Sequence, residues 1–446
     1  MRRAPPAAAS TTVTAAPTTS LPVASQPSCP PTPPRAAPAP DRPRYTLHVD
    51  LRPADALATG DLTVRFVPDL PVDRLVFRLW PNGPRIGGAG GQLDAADVTI
   101  DGRPAAPSLE NPTTLVVPLG RFVPSGTAVT AAMTWRLRLP GPIDDRVARG
   151  GNSVRLGTFF PILGWEPGVG WALDPPTSAY AEASTATAAD FTMSVAAPDG
   201  WTVLASGAPD GRGTWTGTGM REVALSAGRF RIATATARTS DAAVPVTVGV
   251  EEDLLLAPEP FADKAARSIE DFSRRYGPYP WPAYTLGITA GLRGGVEFPG
   301  HVMQGPGTIG RTTSHEVAHQ WFYALVGNDQ GRDPWIDEAL ATFAEWQFEG
   351  TLESMKDRPI PAAARGRAGE PMTFWSSRQD IYDAGVYIQG AQALAALGSP
   401  DLVDCALRIH AAISAYRIAR PADVIRALAA VFPNPAPTLA GYGIKP

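Results

Sequence analysis

Two histidines four residues apart, with a glutamate nineteen positions after the second, constrain this chain more than any other feature. The segment reads His315-Glu316-Val317-Ala318-His319-Gln320-Trp321-Phe322, and Glu338 follows within Trp335-Ile336-Asp337-Glu338-Ala339. Residues four apart on a helix share a face. The two imidazoles therefore aim at one point, where they can share a single Zn²⁺. Glu338, on a second apolar-periodic helix after a Gly- and Asp-rich turn, supplies a carboxylate as third ligand. Three protein ligands leave a fourth position open, the mark of a catalytic rather than a structural zinc site. Glu316 stands one step round from His315, placed to serve as general base toward a water that the metal activates. Thr313 with Glu316 also fits a helix-capping box, a competing role that leaves the histidines unexplained.

A chain of 446 residues suggests two or three domains. Residues 1–42 are rich in Pro, Ala, Thr and Ser, and such a segment buries too little surface to offset its ordering entropy. They read as a disordered tail. Residues 43–240 read as an N-terminal antiparallel β-sandwich domain. Alternating runs such as Leu62–Phe66, Met133–Leu137 and Phe191–Val195 are separated by turn signals such as Asp101-Gly102 and Asp199-Gly200. Trp165 and Trp171 of that domain read as core or interdomain packing residues. Residues 241–446 read as the catalytic domain. Phe261, Ala265, Ile269, Phe272 and Tyr276 recur at helical spacing and stop at Gly277-Pro278. Helices are expected over 312–326, 336–349, 380–397, 400–415 and 421–431, with short strands between 283 and 303. The fold class is therefore α+β and multidomain.

The net charge of −4 offers no basic surface for nucleic acid. No apolar run approaches the roughly 20 residues that cross a bilayer. Of the two cysteines, Cys29 lies in the proline-rich tail, so a disulfide with Cys405 is not expected. Gln26-Pro27-Ser28 before Cys29 is a poor lipid-anchor signal. Met1-Arg2-Arg3 looks like the start of a secretion signal whose apolar core does not follow. An extracytoplasmic location, secreted or attached to the cell envelope, is the expectation, with a cytoplasmic one left open. His48, His301 and His410 read as structural or surface residues. Oligomeric state is not legible.

The zinc segment resembles the aminopeptidase N-type gluzincin metallopeptidases, whose pattern runs His-Glu-x-x-His-Gln-Trp-Phe, eighteen residues, then Glu. Two further segments fit. Gly294-Gly295-Val296-Glu297-Phe298 resembles the family's Gly-x-Met-Glu-Asn strand, whose glutamate holds the substrate's free α-amine. Tyr387-Ile388-Gln389-Gly390-Ala391 resembles its Tyr-x-Lys-Gly-Ala, whose tyrosine stabilises the tetrahedral oxyanion. The resemblance spans about residues 44–400 and implies a thermolysin-like, mainly helical zinc catalytic domain acting on peptide substrates. It implies one Zn²⁺ on His315, His319 and Glu338, with Glu316 as base, Tyr387 as oxyanion donor and Glu297, Gly294 and Gly295 at the substrate. Tyr382 rivals Tyr387. A carboxylate at Glu297 beside two glycines could approach a substrate backbone closely and pair with an ammonium. The departures are Phe298 for Asn, Tyr323 and Ala339 for Gly, Gln389 for Lys, and the lack of the family's C-terminal helical domain. The second acidic residue near the amine has one weak candidate, Glu182. The expected activity is zinc-dependent aminopeptidase hydrolysis. An open-cleft endopeptidase and a non-catalytic zinc-retaining scaffold are the alternatives.

Overall fold

The computed structural model describes residues 27–178 and 185–446. The N-terminal half is β-rich. Its largest sheet has eight strands, ordered 208–209, 214–220, 189–196, 44–52, 57–66, 129–138, 92–100 and 103–104. The period-two pattern sets its buried face: Leu62, Val64, Phe66, Met133, Trp135 and Leu137 are buried while their neighbours face outward. Asp101 and Gly102 both take positive φ and close the tight turn between the last two strands. Two four-stranded sheets and the packed pair Trp165 and Trp171, with ring centroids 4.7 Å apart, complete this half.

Four expectations need correction, the absence of a Cys29–Cys405 disulfide among them. The domain is not wholly antiparallel, because Arg44–Arg52 pairs in parallel with Ala189–Ala196. The boundary near residue 240 moves back to about 229. The strand β1 (Phe230–Arg238) pairs along its length with β2 (Ala243–Glu251), which lies in the sheet of the second half. The tail expectation fails for residues 27–42; residues 1–26 lie outside the described part. Cys29 is disulfide-bonded to Cys405. The Ser28 amide donates to the Val431 carbonyl (3.1 Å), the Ala36 amide to that of Ala412 (2.8 Å), and Arg42 pairs with Asp190 (2.6 Å). Chain composition gave no sign of this, because the segment is ordered by partners far away in sequence. The bonded sulfur also removes Cys29 as a lipid attachment point.

The second half begins with a five-stranded sheet ordered β1, β2, β3 (Tyr284–Ile288), β5 (His301–Gln304), β4 (Gly295–Phe298). Helix α1 (Glu259–Tyr276) lies against β1 and buries Phe261, Ala265, Ile269, Phe272 and Tyr276, the stripe the sequence marked. Gly277, at φ 98°, ends it where a side chain would be strained. Helices α2 (Arg311–Ala318), α3 (Trp335–Phe348), α4 (Gln389–Ala395) and α5 (Pro400–Ile413) follow. Among the described residues no helix is long and apolar enough to cross a membrane.

Candidate metal centre and substrate cavity

Helix α2 is shorter than its motif. It begins after Gly310, not at Thr313, and ends at Ala318, with His319 still helical in backbone as the capping residue. The capping box is absent: Thr313 Oγ1 accepts instead from Gln304 Nε2. The one turn from His315 to His319 suffices to place both imidazoles on one face. Helix α3 packs against α2 and is buried at every position from Trp335 to Trp346, so its first turn delivers Glu338 to the same point.

His315 Nε2 and His319 Nε2 stand 3.0 Å apart, and Glu338 Oε2 lies 3.3 Å from each. A tetrahedral zinc with bonds of about 2.0–2.1 Å needs ligand atoms about 3.3–3.4 Å apart. The triangle fits one such ion, and all three residues are buried. Each imidazole is fixed through its other nitrogen. His319 Nδ1 faces the Phe322 carbonyl at 3.0 Å, and His315 Nδ1 faces Glu345 Oε2 at 3.2 Å. Such outer partners set the tautomer that leaves Nε2 free for metal. Sequence reasoning missed Glu345. The available signal was its position seven residues after Glu338, two turns along the same helix face.

The triangle opens into a cavity of about 290 Å³ between β4, α2, α3 and the segment before α4. Gly294, Gly295, Glu297, Glu316, Tyr382 and Tyr387 line it, and Arg146 enters from the N-terminal half. Glu316 lies against Gly295, where any Cβ would overlap its carboxylate, so only glycine leaves room for that side chain beside the strand. Glu316 Oε2 is buried without a hydrogen-bond partner, an unusual state for a carboxylate. Glu297 Oε1 accepts from Gln330 Nε2 at 2.9 Å, and Glu297, Glu316 and His319 converge closely. Glu182 falls outside the described residues.

Residues Asp383–Ile388 form a π-helix that runs into α4. Its wider turn brings residues five apart onto one side. Tyr382 and Tyr387 thereby both reach the cavity, with rings edge-on at 5.5 Å. The Tyr387 hydroxyl donates to Glu338 Oε1 at 2.5 Å, and its ring stacks on His315 at 5.6 Å. Gly390 permits this approach, since a Cβ there would collide with that of Ala339 on α3. Ala339 at this crossing is thus a spacing residue.

Burial and charge act strongly here. Burial pushes Glu316 up to about 8. Burial also resists protonation of His315, but the Glu338 and Glu345 carboxylates outweigh it and hold the imidazole up at about 9. For Glu338 burial is outweighed by the two imidazoles, and the carboxyl is held down to about 2. A dication bound at this triangle would displace the proton that His315 holds.

No protein-family model and no curated protein sequence matches the chain. Solved structures do. The M1 zinc metallopeptidase of Deinococcus radiodurans superposes with a TM-score of 0.67 at 19% identity, over 91% of this chain and 94% of that one. A mutant M1 zinc metallopeptidase from the same organism, bound to a Tyr-Ser-Ala substrate, gives 0.66 at 20% identity over 90% and 94%. A mutant two-domain M1 zinc metallopeptidase bound to L-arginine gives 0.64 at 20% over 91% and 94%. This chain has the M1 zinc metallopeptidase fold.

Within that M1 fold, the residues that departed from the motif have structural work. Phe298 is fully buried, with its ring where Gly157 has no side chain. Gln389 is buried, donating to the Ala364 and Gly385 carbonyls and accepting from the Gly366 amide. Tyr323 takes φ 138° and donates its hydroxyl to the buried Glu222. The remaining histidines are structural: His301 is buried between Ser226 and Thr285 and held down to about 3, His410 is buried and held down to about 4, and His48 meets Ser194 on the surface.

Proposed function

We propose that the chain is a zinc-dependent metallopeptidase with a thermolysin-like catalytic domain, and that it acts as an aminopeptidase. The observation that carries this is the triangle of His315, His319 and Glu338 with the Glu316 carboxylate in the same cavity. The M1 neighbours, one holding a Tyr-Ser-Ala substrate, support it. His315, His319 and Glu338 would hold one Zn²⁺. When bound, the ion supplies a Lewis acid that brings the pKa of a water toward about 7 and polarises a carbonyl.

The protein's own groups do the rest. Glu316 accepts the proton of the attacking water and passes it to the leaving amine. A carboxylate lifted by burial suits both halves of that transfer near neutral pH. Tyr387 donates its hydroxyl to the oxyanion that develops on the former carbonyl, exchanging its bond to Glu338 for one to the substrate. Glu297, with Gly294 and Gly295 leaving the strand bare, accepts the substrate's α-ammonium and so fixes which bond is cut.

The test uses aminoacyl chromogenic substrates with free and N-acetylated amines. Hydrolysis should require the free amine, stop on chelation and return with Zn²⁺. Glu316→Gln should keep the metal and lose turnover. Preference for the acetylated substrates would refute the aminopeptidase reading, and activity in Glu316→Gln would remove Glu316 from the chemistry.

A further inference from the structure

We infer that Gln330 completes the ammonium subsite as a second acceptor beside Glu297, an inference that rests on the aminopeptidase reading. Gln330 is buried and lines the cavity. Its carboxamide nitrogen has two N–H donors, and both are committed. Nε2 donates to Glu297 Oε1 at 2.9 Å and to Asp337 Oδ2 at 2.7 Å. Asp337 is held from its other side by Asn328 Nδ2 at 2.9 Å. The orientation follows, because the reverse one would set a carbonyl oxygen against the Glu297 carboxylate.

This leaves Gln330 Oε1, which is buried and has no partner. A buried carbonyl oxygen in that state is costly unless something supplies an N–H. Covalent geometry keeps Oε1 within one amide of the nitrogen that grips Glu297. An ammonium seated on Glu297 has three donors, and one carboxylate uses at most two of them. The third meets Gln330 Oε1. Gln330 thus does two things: it orients Glu297 through its N–H and accepts from the same cation through its carbonyl. It needs no second carboxylate, whose burial beside Glu297 would cost both desolvation and like-charge repulsion.

The experiment measures kcat/KM of the zinc-loaded full chain on leucine 4-nitroanilide and its N-acetyl form. Gln330→Met keeps the size and removes both the donors and the acceptor. The free-amine to N-acetyl ratio should fall about 10-fold or more, through KM, with zinc content unchanged. In a Glu297→Ala background the same substitution should change the ratio no further. Gln330→Asn, which withdraws the amide by one methylene, reads the same ratio should the apolar variant fail to fold. Equal loss on both substrates would overturn the inference, because Gln330 would then act on the metal side through Asp337. An unchanged ratio would also overturn it, alone. If the wild type shows no preference for the free amine, the aminopeptidase reading itself fails and takes this inference with it.

Discussion

Glu345 is not one of the three metal ligands, yet its loss should loosen the metal in a graded way. Its Oε2 lies 3.2 Å from His315 Nδ1, and its side chain is almost wholly buried. With Nε2 given to the metal, Nδ1 carries the proton and donates to Glu345. A hydrogen bond to a charged acceptor is worth about 1.5–3 kcal/mol, a neutral one about 0.5–1.5 kcal/mol. Glu345→Gln keeps an acceptor and loses the charge, so it should cost about 1 kcal/mol of zinc affinity, or roughly 5-fold. Glu345→Ala leaves a buried N–H unpaired and frees the ring, and should cost about 10- to 100-fold. Competition against a chromogenic chelator reads both constants, with circular dichroism as a check on folding. Equal zinc affinity in wild type, Gln and Ala variants would refute the claim that this carboxylate orients His315. A larger loss for Gln than for Ala would refute the charge argument.

Other outcomes follow from the same geometry. Tyr387→Phe should lower kcat about 10²–10³-fold with little change in KM, and Tyr382→Phe should do much less; the reverse order in steady-state kinetics would make Tyr382 the donor. Zinc affinity should fall as pH drops below about 9, because His315 holds a proton in the metal-free state that the metal must displace; titration of zinc binding between pH 6 and 9 with no such slope would contradict this. Replacing both Cys29 and Cys405 by serine should lower stability by about 2–4 kcal/mol, since the bridge closes a sequence separation of 376 residues; an unchanged denaturation midpoint under oxidising conditions would count against the bridge as a clamp.

The metal centre was readable because its information is local. His315 and His319 sit one helical turn apart, so spacing alone aims them together. Glu338 needed only the assumption of a second helix packed on the first. The α1 stripe from Phe261 to Tyr276 was legible for the same reason. Strand alternation marked the β-rich half but not its partners, so the parallel pairing of 44–52 with 189–196 went unseen, as did the alliance of 230–238 with the later sheet. A period of two marks a strand but not its partner, whether that partner lies more than a hundred residues away, as for 44–52, or just past a short loop, as for 230–238. Two of the lining residues that sequence reasoning passed over, Glu345 and Gln330, are ordinary polar residues until a fold puts a ring nitrogen or two acidic side chains beside them.

By itself the order of residues settled which side chains could share one metal ion, because a helix turn converts spacing into direction. It also settled that half the chain would be strands and half helices. Tertiary structure decided what surrounds that ion: a π-turn that swings two tyrosines inward, a bare glycine that seats Glu316 and an amide caught between two acids; it also fastened the proline-rich segment around Cys29 by sulfur to a distant helix. Those arrangements depend on contacts between segments far apart in the chain, and only packing in three dimensions chooses among them.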